Sequence, residues 1–137
     1  MAECIFCMIA QKKQPSRVLY EDKNTMAFLD VNPGSPGHTL VVPKEHYETI
    51  FEMSDEEIAD LFKTVIEVTK AIEKVIKPDG INIFQNNKPA AGQIVNHAHV
   101  HIFPRFHGDG IDFKWRRVVL DSEDLDKMAE KIRKGFE

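Results

Sequence analysis

No apolar run in the chain approaches the length of a membrane-spanning helix, and none follows a basic N-terminal start. A membrane-embedded or exported protein is therefore not expected, and the reading is of a cytoplasmic protein with reduced thiols. Cysteine is scarce. Cys4 and Cys7 are the only two, which excludes a disulfide framework and leaves a C-x-x-C pair in need of another task. A large excess of one charge is also lacking. Eighteen basic residues against 22 acidic ones give a net charge of −4, which argues against broad, non-specific nucleic-acid binding. There is no internal repeat, low-complexity tract or Gly/Ser linker, so repeat architectures and tethered domains drop out. What is present is the composition of an ordinary soluble globule, 42% apolar and 29% charged. The 137 residues predict one compact domain, residues 1–137, large enough to bury a core without disulfide or metal.

Turn formers and apolar periods divide the chain. "RVLYED" and "TMAFLD" read as two short strands joined by a turn at Asp22 to Asn24. "VNPGSPG", Val31 to Gly37, holds too many turn formers for regular structure and is expected to be a loop. The β-branched run in "HTLVVPKEH" predicts a buried strand ending at Pro43. The clearest helix runs from about Ser54 to Lys77. Ser54 and Glu57 form a capping box, and Pro78 with Gly80 stops the helix. Ile58, Leu61, Phe62, Val65, Val68, Ile72, Val75 and Ile76 recur at helical spacing and predict one buried stripe. "GINIFQN" is the next strand, "NKPAAGQ" a loop and "HAHVHIFPR" another strand. A last helix from near Ser122 offers Leu125, Met128, Ala129 and Ile132 as its inner face. The predicted class is α+β, an antiparallel sheet of about five strands with one long helix and a C-terminal helix.

The densest chemistry lies in "NHAHVHIFPR", Asn96 to Arg105. His97, His99 and His101 occupy every second position, with Ala98, Val100 and Ile102 after them. On a strand this alternation turns the imidazoles to one face and the apolar three to the core. A solvent face is usually filled by Thr, Lys, Glu or Ser, so a row of histidines needs a purpose. Two chemistries fit. The imidazoles could ligate a catalytic zinc with one position open for water. Alternatively, one imidazole attacks phosphorus while its neighbours supply donors around the phosphoryl oxygens. Spacing alone leaves both open.

The stretch "HAHVHIF" resembles the H-x-H-x-H-x-x signature of the histidine-triad (HIT) family, with "AGQ" just upstream and "PR" just downstream. "FLDVNPGSPGHTLVVPKEH" is similar to the family's strand–loop–strand nucleoside pocket, and "CIFC" to the opening of many prokaryotic members. The resemblance implies a HIT-like fold and a nucleotide-binding hydrolase or transferase acting at the phosphorus on a nucleoside's 5′-oxygen. It makes His99 the nucleophile that carries a covalent nucleotidyl intermediate, His101 a contact to phosphate oxygens and His38 the orienting fourth histidine. It places Ile5 and Phe6 beside the base, Phe28, Asp30 and Val31 in the nucleoside pocket, Asn86 near ribose and phosphate, and Gly92 with Gln93 at the phosphate. Asp30 would accept from both ribose hydroxyls. Expected substrates are nucleoside phosphoramidates or dinucleoside polyphosphates, with AMP- or GMP-type release. The competing readings are a non-catalytic nucleotide-binding regulatory module and a metallohydrolase that uses the triad as ligands. The resemblance further implies a homodimer. One departure stands out: many relatives carry Ser or Thr after "GQ", where this chain has Ile94. "GIDFKWRR" resembles a feature of prokaryotic members, from which Trp115 and Arg116 could reach a substrate. Read from the residues alone, it is a hairpin or surface segment.

Cys4 and Cys7 have the spacing of half a zinc knuckle, and His46 and His97 are the candidates to complete it. In some prokaryotic relatives, and in the related galactose-1-phosphate uridylyltransferases, such a set binds structural zinc. A closed Cys₂His₂ site would tie the N-terminus to the sheet and give His97 a task distinct from that of His99. The alternative is two reduced, half-buried thiols without metal.

Overall fold

The structure is a computed structural model and describes residues 4–137. A short helix α1 (Ile5–Ala10) precedes strands β1 (Val18–Glu21), β2 (Thr25–Leu29) and β3 (Thr39–Pro43). Helix α2 (Asp55–Ile76) follows, then strands β4 (Gly80–Gln85) and β5 (Val100–Arg105), and finally helix α3 (Ser122–Arg133). The five strands form one sheet in the order β1-β2-β3-β5-β4 with every neighbour antiparallel, the α+β architecture that the sequence predicts.

Local chemistry explains the boundaries. At the β1–β2 turn the Asp22 carboxylate accepts from the backbone N–H of Asn24 and Thr25 and from the Thr25 hydroxyl, so one side chain closes the hairpin. Ser54 caps α2 in the expected box, accepting from the Glu57 N–H at 3.2 Å while Glu57 accepts from the Ser54 N–H at 2.8 Å. Asp55, Glu56 and Glu57 in the first turn complement the helix dipole. The stop is Lys77, which adopts the left-handed conformation just before Pro78. Gly80 is the first residue of β4 and plays no part in ending the helix.

Strand alternation builds two cores. Ala27, Val41, Ala98, Val100 and Ile102 face α2 and pack on Leu61, Val65, Val68 and Ile72. Met26, Phe28, Leu40 and Val42 face the other way, against Phe6 and Ile9 of α1. Strands β2 and β3 are thus covered on both faces, which suits their continuous apolar runs. A buried Thr25–Thr64 hydroxyl pair, 2.7 Å apart, ties β2 to α2.

Several expectations need correction. The strand of the histidine stretch begins at Val100, so His97 and His99 precede it, His97 in a bend; Ala98 still packs with Val100 and Ile102 in the core that faces α2. The predicted stripe of α2 ends early: Val75 is 74% exposed and Ile76 also faces out, because the helix runs past the sheet. Leu125, Met128 and Ile132 of α3 are exposed and Ala129 only half-buried. Among the described residues no strand packs extensively on that helix, so its apolar side is not an inner face here. The segment 110–121 forms no hairpin, and Trp115 on it is 88% exposed. Among the described residues no helix is long and apolar enough to cross a membrane.

Candidate active site

One row of cross-strand neighbours makes the floor of a cavity of about 470 Å³. Phe28 of β2 pairs with Leu40 of β3, Leu40 with His101 of β5, and His101 with Phe84 of β4. All four line the cavity. The Phe84 ring stacks on His101, centroids 4.4 Å apart, and Phe6 of α1 meets Phe28 and His99 edge-on. At the rim, the Asp30 carboxylate accepts from the Asn32 N–H with Oδ1, leaving Oδ2 at 3.7 Å from His38 Nε2. Asn86, Gly92 and Ile94 close the side before the histidines, and Ile94 is 91% exposed there. Among the described residues no lysine or arginine lines this cavity, and Asp30 is the one charged side chain of its lining.

Each histidine is held in one protonation form by a partner of fixed character, since a carbonyl can only accept and a backbone N–H can only donate. His99 Nδ1 lies 2.7 Å from its neighbour's carbonyl, His97 O, so Nδ1 carries the proton and Nε2 is a bare lone pair. His97 Nε2 lies 2.8 Å from Pro43 O, so there the bare nitrogen is Nδ1. His38 Nδ1 accepts from the Gly34 N–H at 3.1 Å, while its Nε2 lies 2.9 Å from His101 Nδ1. Burial acts on all four in the same direction. It pushes His97 and His101 down to about 4 and lowers His38 and His99, opposed at His99 by the His97 carbonyl and at His38 by Asp30. The rings are therefore neutral at physiological pH.

His97 turns to a second cluster. The ligand atoms of Cys4, Cys7, His46 and His97 all lie within 4.8 Å of one another. His46 Nδ1 stands 3.3 Å from Cys7 Sγ, and His97 Nδ1 stands 3.3 Å from Cys4 Sγ and 3.5 Å from Cys7 Sγ. A zinc tetrahedron with ordinary bond lengths has sulfur–nitrogen edges of roughly 3.5 Å, so the donors already sit at close to the required separations. The Pro43 carbonyl orients the His97 ring, as outer-shell acceptors do at zinc sites. His46 Nε2 is buried with no protein partner among the described residues, so its Nδ1 toward Cys7 is that ring's one polar contact. Without a cation, burial and the adjacent Cys4 push the Cys7 thiol up to about 11. The donor set fits a closed Cys₂His₂ site.

Of the residues expected to contact nucleotide, Ile5, Phe6, Phe28, Asp30, Val31, Asn86, Gly92, His99 and His101 all line the cavity. Gln93 does not. It is buried behind the loop, where its amide donates to the Glu48 and Val95 carbonyls and accepts from the Lys88 N–H. His38 stands behind His101 rather than on the wall. Trp115 and Arg116 also lie outside the lining. Residues not singled out from the sequence complete the walls, among them Phe84 and, beyond α1, Gln14 and Ser16. Phe84 was readable in principle: it lies two residues before Asn86 and so shares its face of the strand. Gln14 and Ser16 sit in irregular chain that carries no periodic signal.

Comparison with known proteins places this architecture. The HIT domain profile matches residues 11–108. The chain is 40% identical over 130 residues to an adenosine 5′-monophosphoramidase of Schizosaccharomyces pombe, covering 94% of this chain and 95% of that one. A crystal structure of a Streptococcus mutans protein superposes with a TM-score of 0.95 at 42% identity, over 100% of this chain and 87% of that one. A zinc-bound histidine triad family protein of Mycobacterium smegmatis superposes with a TM-score of 0.77 at 32% identity, over 98% of both chains. A histidine row set on the edge of an aromatic-floored cavity, a matching domain profile and near-complete overlap with such relatives lead to one conclusion: the chain belongs to the histidine-triad (HIT) family.

Proposed function

We propose that the protein is a nucleoside 5′-phosphoramidase that cleaves at the α-phosphorus through a nucleotidyl–His99 intermediate. The observation that carries this reading is the His99 Nδ1 to His97 carbonyl bond, which leaves Nε2 unprotonated on a ring that lines the cavity. A bare nitrogen held in a pocket needs no general base before it attacks. His99 Nε2 bonds to phosphorus, the P–N bond breaks, and the departing amine takes up a proton. Water then attacks the phospho-imidazole, loses a proton and releases the nucleoside monophosphate.

The rest of the cavity suits a nucleotide. Ile5, Phe6, Ile9, Phe28 and Leu40 make an apolar slot for a base, in keeping with a purine, and Asp30 keeps a carboxylate oxygen for ribose hydroxyls. The absence of lysine and arginine from the lining among the described residues favours phosphoramidates over dinucleoside polyphosphates. A leaving group bearing several negative charges would find, among the charged and imidazole groups of the described residues, Asp30 and neutral rings. The named activity of the fission-yeast relative points the same way.

Zinc at Cys4, Cys7, His46 and His97 would be structural, clamping α1 to the ends of β3 and β5, with no position open for chemistry. The metallohydrolase alternative loses support on this reading, because His97 turns to the cysteines while His38 Nε2, the atom facing His101, already carries a proton. A homodimer belongs to the same proposal: Ile66 and Ile76 of α2 and Ile83 of the edge strand β4 are exposed apolar residues that a second copy would cover.

The test is incubation of wild-type and His99→Ala protein with an adenosine phosphoramidate, followed by acid-free quenching and intact-mass measurement. Turnover with a transient adenylyl adduct on the wild type alone is expected. Tight nucleotide binding with neither turnover nor adduct would instead favour the regulatory-module reading.

A further inference from the structure

We propose that Gly34 is a positioning residue: its backbone N–H, acting through His38, sets which nitrogen of His101 presents a proton to the cavity. The catalytic consequence rests on the phosphoramidase reading above; the protonation pattern itself does not.

The argument follows one chain of hydrogen bonds. A backbone N–H donates only, so the 3.1 Å contact from Gly34 N makes His38 Nδ1 an acceptor. In the neutral ring the single proton must then sit on His38 Nε2. That atom lies 2.9 Å from His101 Nδ1, whereas the Asp30 oxygen, at 3.7 Å, is too far for a bond of its own. His38 therefore donates to His101 Nδ1, and the proton of His101 is confined to Nε2. The opposite form of His101 would set two N–H groups against each other at 2.9 Å. Nε2 of His101 has no protein partner among the described residues, and its ring lines the cavity beside His99. It is thus held as a hydrogen-bond donor for a phosphoryl oxygen. With the proton on the other nitrogen, a lone pair would face that oxygen and repel it.

The loop is built to keep this donor in place. A side chain at position 34 would bring its Cβ to 2.6 Å from the Phe103 ring, and that ring packs on His38 with centroids 4.7 Å apart. Glycine is what allows the backbone to lie this close to both rings. The buried Ser35 hydroxyl donates to the Pro104 carbonyl at 2.6 Å, and the His38 N–H donates to the Ser35 carbonyl at 3.0 Å, closing the loop onto β5.

Nitrogen-15 NMR of the zinc-loaded, full-length protein reads the tautomers directly. For the wild type, His38 and His101 should both show a protonated Nε2 and a bare Nδ1. A matched pair of variants isolates the donor: Gly34→Pro/Phe103→Leu lacks the N–H, while Gly34→Ala/Phe103→Leu keeps it with the same relief of crowding. Relative to the second, the first should show mixed tautomers at His101 and a kcat lower by roughly tenfold with KM little changed, as befits loss of an oriented donor. A wild-type His101 protonated on Nδ1, or pure Nε2 protonation persisting in the proline variant, would overturn the proposal. The wild-type spectrum decides even if neither variant folds. Expected tautomers in a protein that cleaves no phosphoramidate would uphold the role of Gly34 and remove the enzymatic reading instead.

Discussion

Two corners of the molecule each take histidines from the stretch Asn96 to Arg105 and put them to opposite uses. At the cysteine corner, His97 turns a bare Nδ1 toward the thiols of Cys4 and Cys7 and His46 Nδ1 faces Cys7, so that four donors converge. At the cavity corner, His99 and His101 do not converge. One offers a lone pair and the other a proton, side by side with ring centroids 5.0 Å apart. His97 and His99 are the same residue type two positions apart, yet they serve different corners. What differs is the backbone group behind each ring: the Pro43 carbonyl behind Nε2 of His97, the His97 carbonyl behind Nδ1 of His99, and the Gly34 N–H behind His38. The lesson is that a histidine's role here is assigned by the partner on its far side.

The comparison breaks most sharply at His99. His99→Ala should abolish adduct formation and cut phosphoramidate turnover by at least about a thousandfold, while Cys7 variants that still fold retain the adduct. Stopped assays on the purified variants check this, and comparable rates in wild type and His99→Ala would refute the division of labour. Next in size is the metal corner. Cys7→Ser removes one of four donors, so bound zinc should fall below one per chain and the melting temperature should drop by roughly 10 °C or more. Metal analysis and calorimetry on one preparation measure both; an unchanged melting temperature with zinc lost would show that the cluster does not brace the fold.

A smaller effect at the cavity corner is set by pH. Burial, with His99 and His38 adding to it, holds His101 at about 4 in the folded chain, against roughly 6.5 when unfolded. The unfolded chain therefore takes up the proton first on acidification. Stability contributed by the neutral ring is complete above about pH 6.5 and is lost as the pH falls toward 4, by on the order of 2 kcal/mol. Urea titrations between pH 7.5 and 4.5 should show that slope for the wild type and a shallower one for His101→Asn. The smallest change expected is at the rim. Ile94→Ser should alter relative turnover of alkyl- and polyphosphate-leaving substrates by less than about tenfold while leaving the His99 adduct intact; loss of the adduct would mean that position 94 does more than shape the exit.

Much of this was legible in the residues, and the failures are instructive. The Asp22 turn, the Ser54–Glu57 cap and the apolar alternation are local, and local chemistry decides them. The triad's alternation holds although two of its three histidines lie before β5, since Ala98, Val100 and Ile102 all pack into the core that faces α2. Exposure of Val75 and of the α3 stripe was not legible: periodicity reveals that a helix has an apolar side, not what covers it. Gln93 lies off the cavity lining for a related reason, since an amide serves a loop carbonyl as readily as a phosphate, and only the fold chooses. Gly34 left no chemical trace in the sequence at all, because its contribution is a backbone atom.

The cavity floor draws one residue from each of β2, β3, β5 and β4. Slipping any one strand by a single position would turn its member toward α2 and leave a hole in the row. No partly assembled sheet can offer this surface, so a nucleotide that fits it would be a probe of finished folding. Ligand capture should then appear only in the last kinetic phase of refolding, after the helices and the inner hairpin have formed.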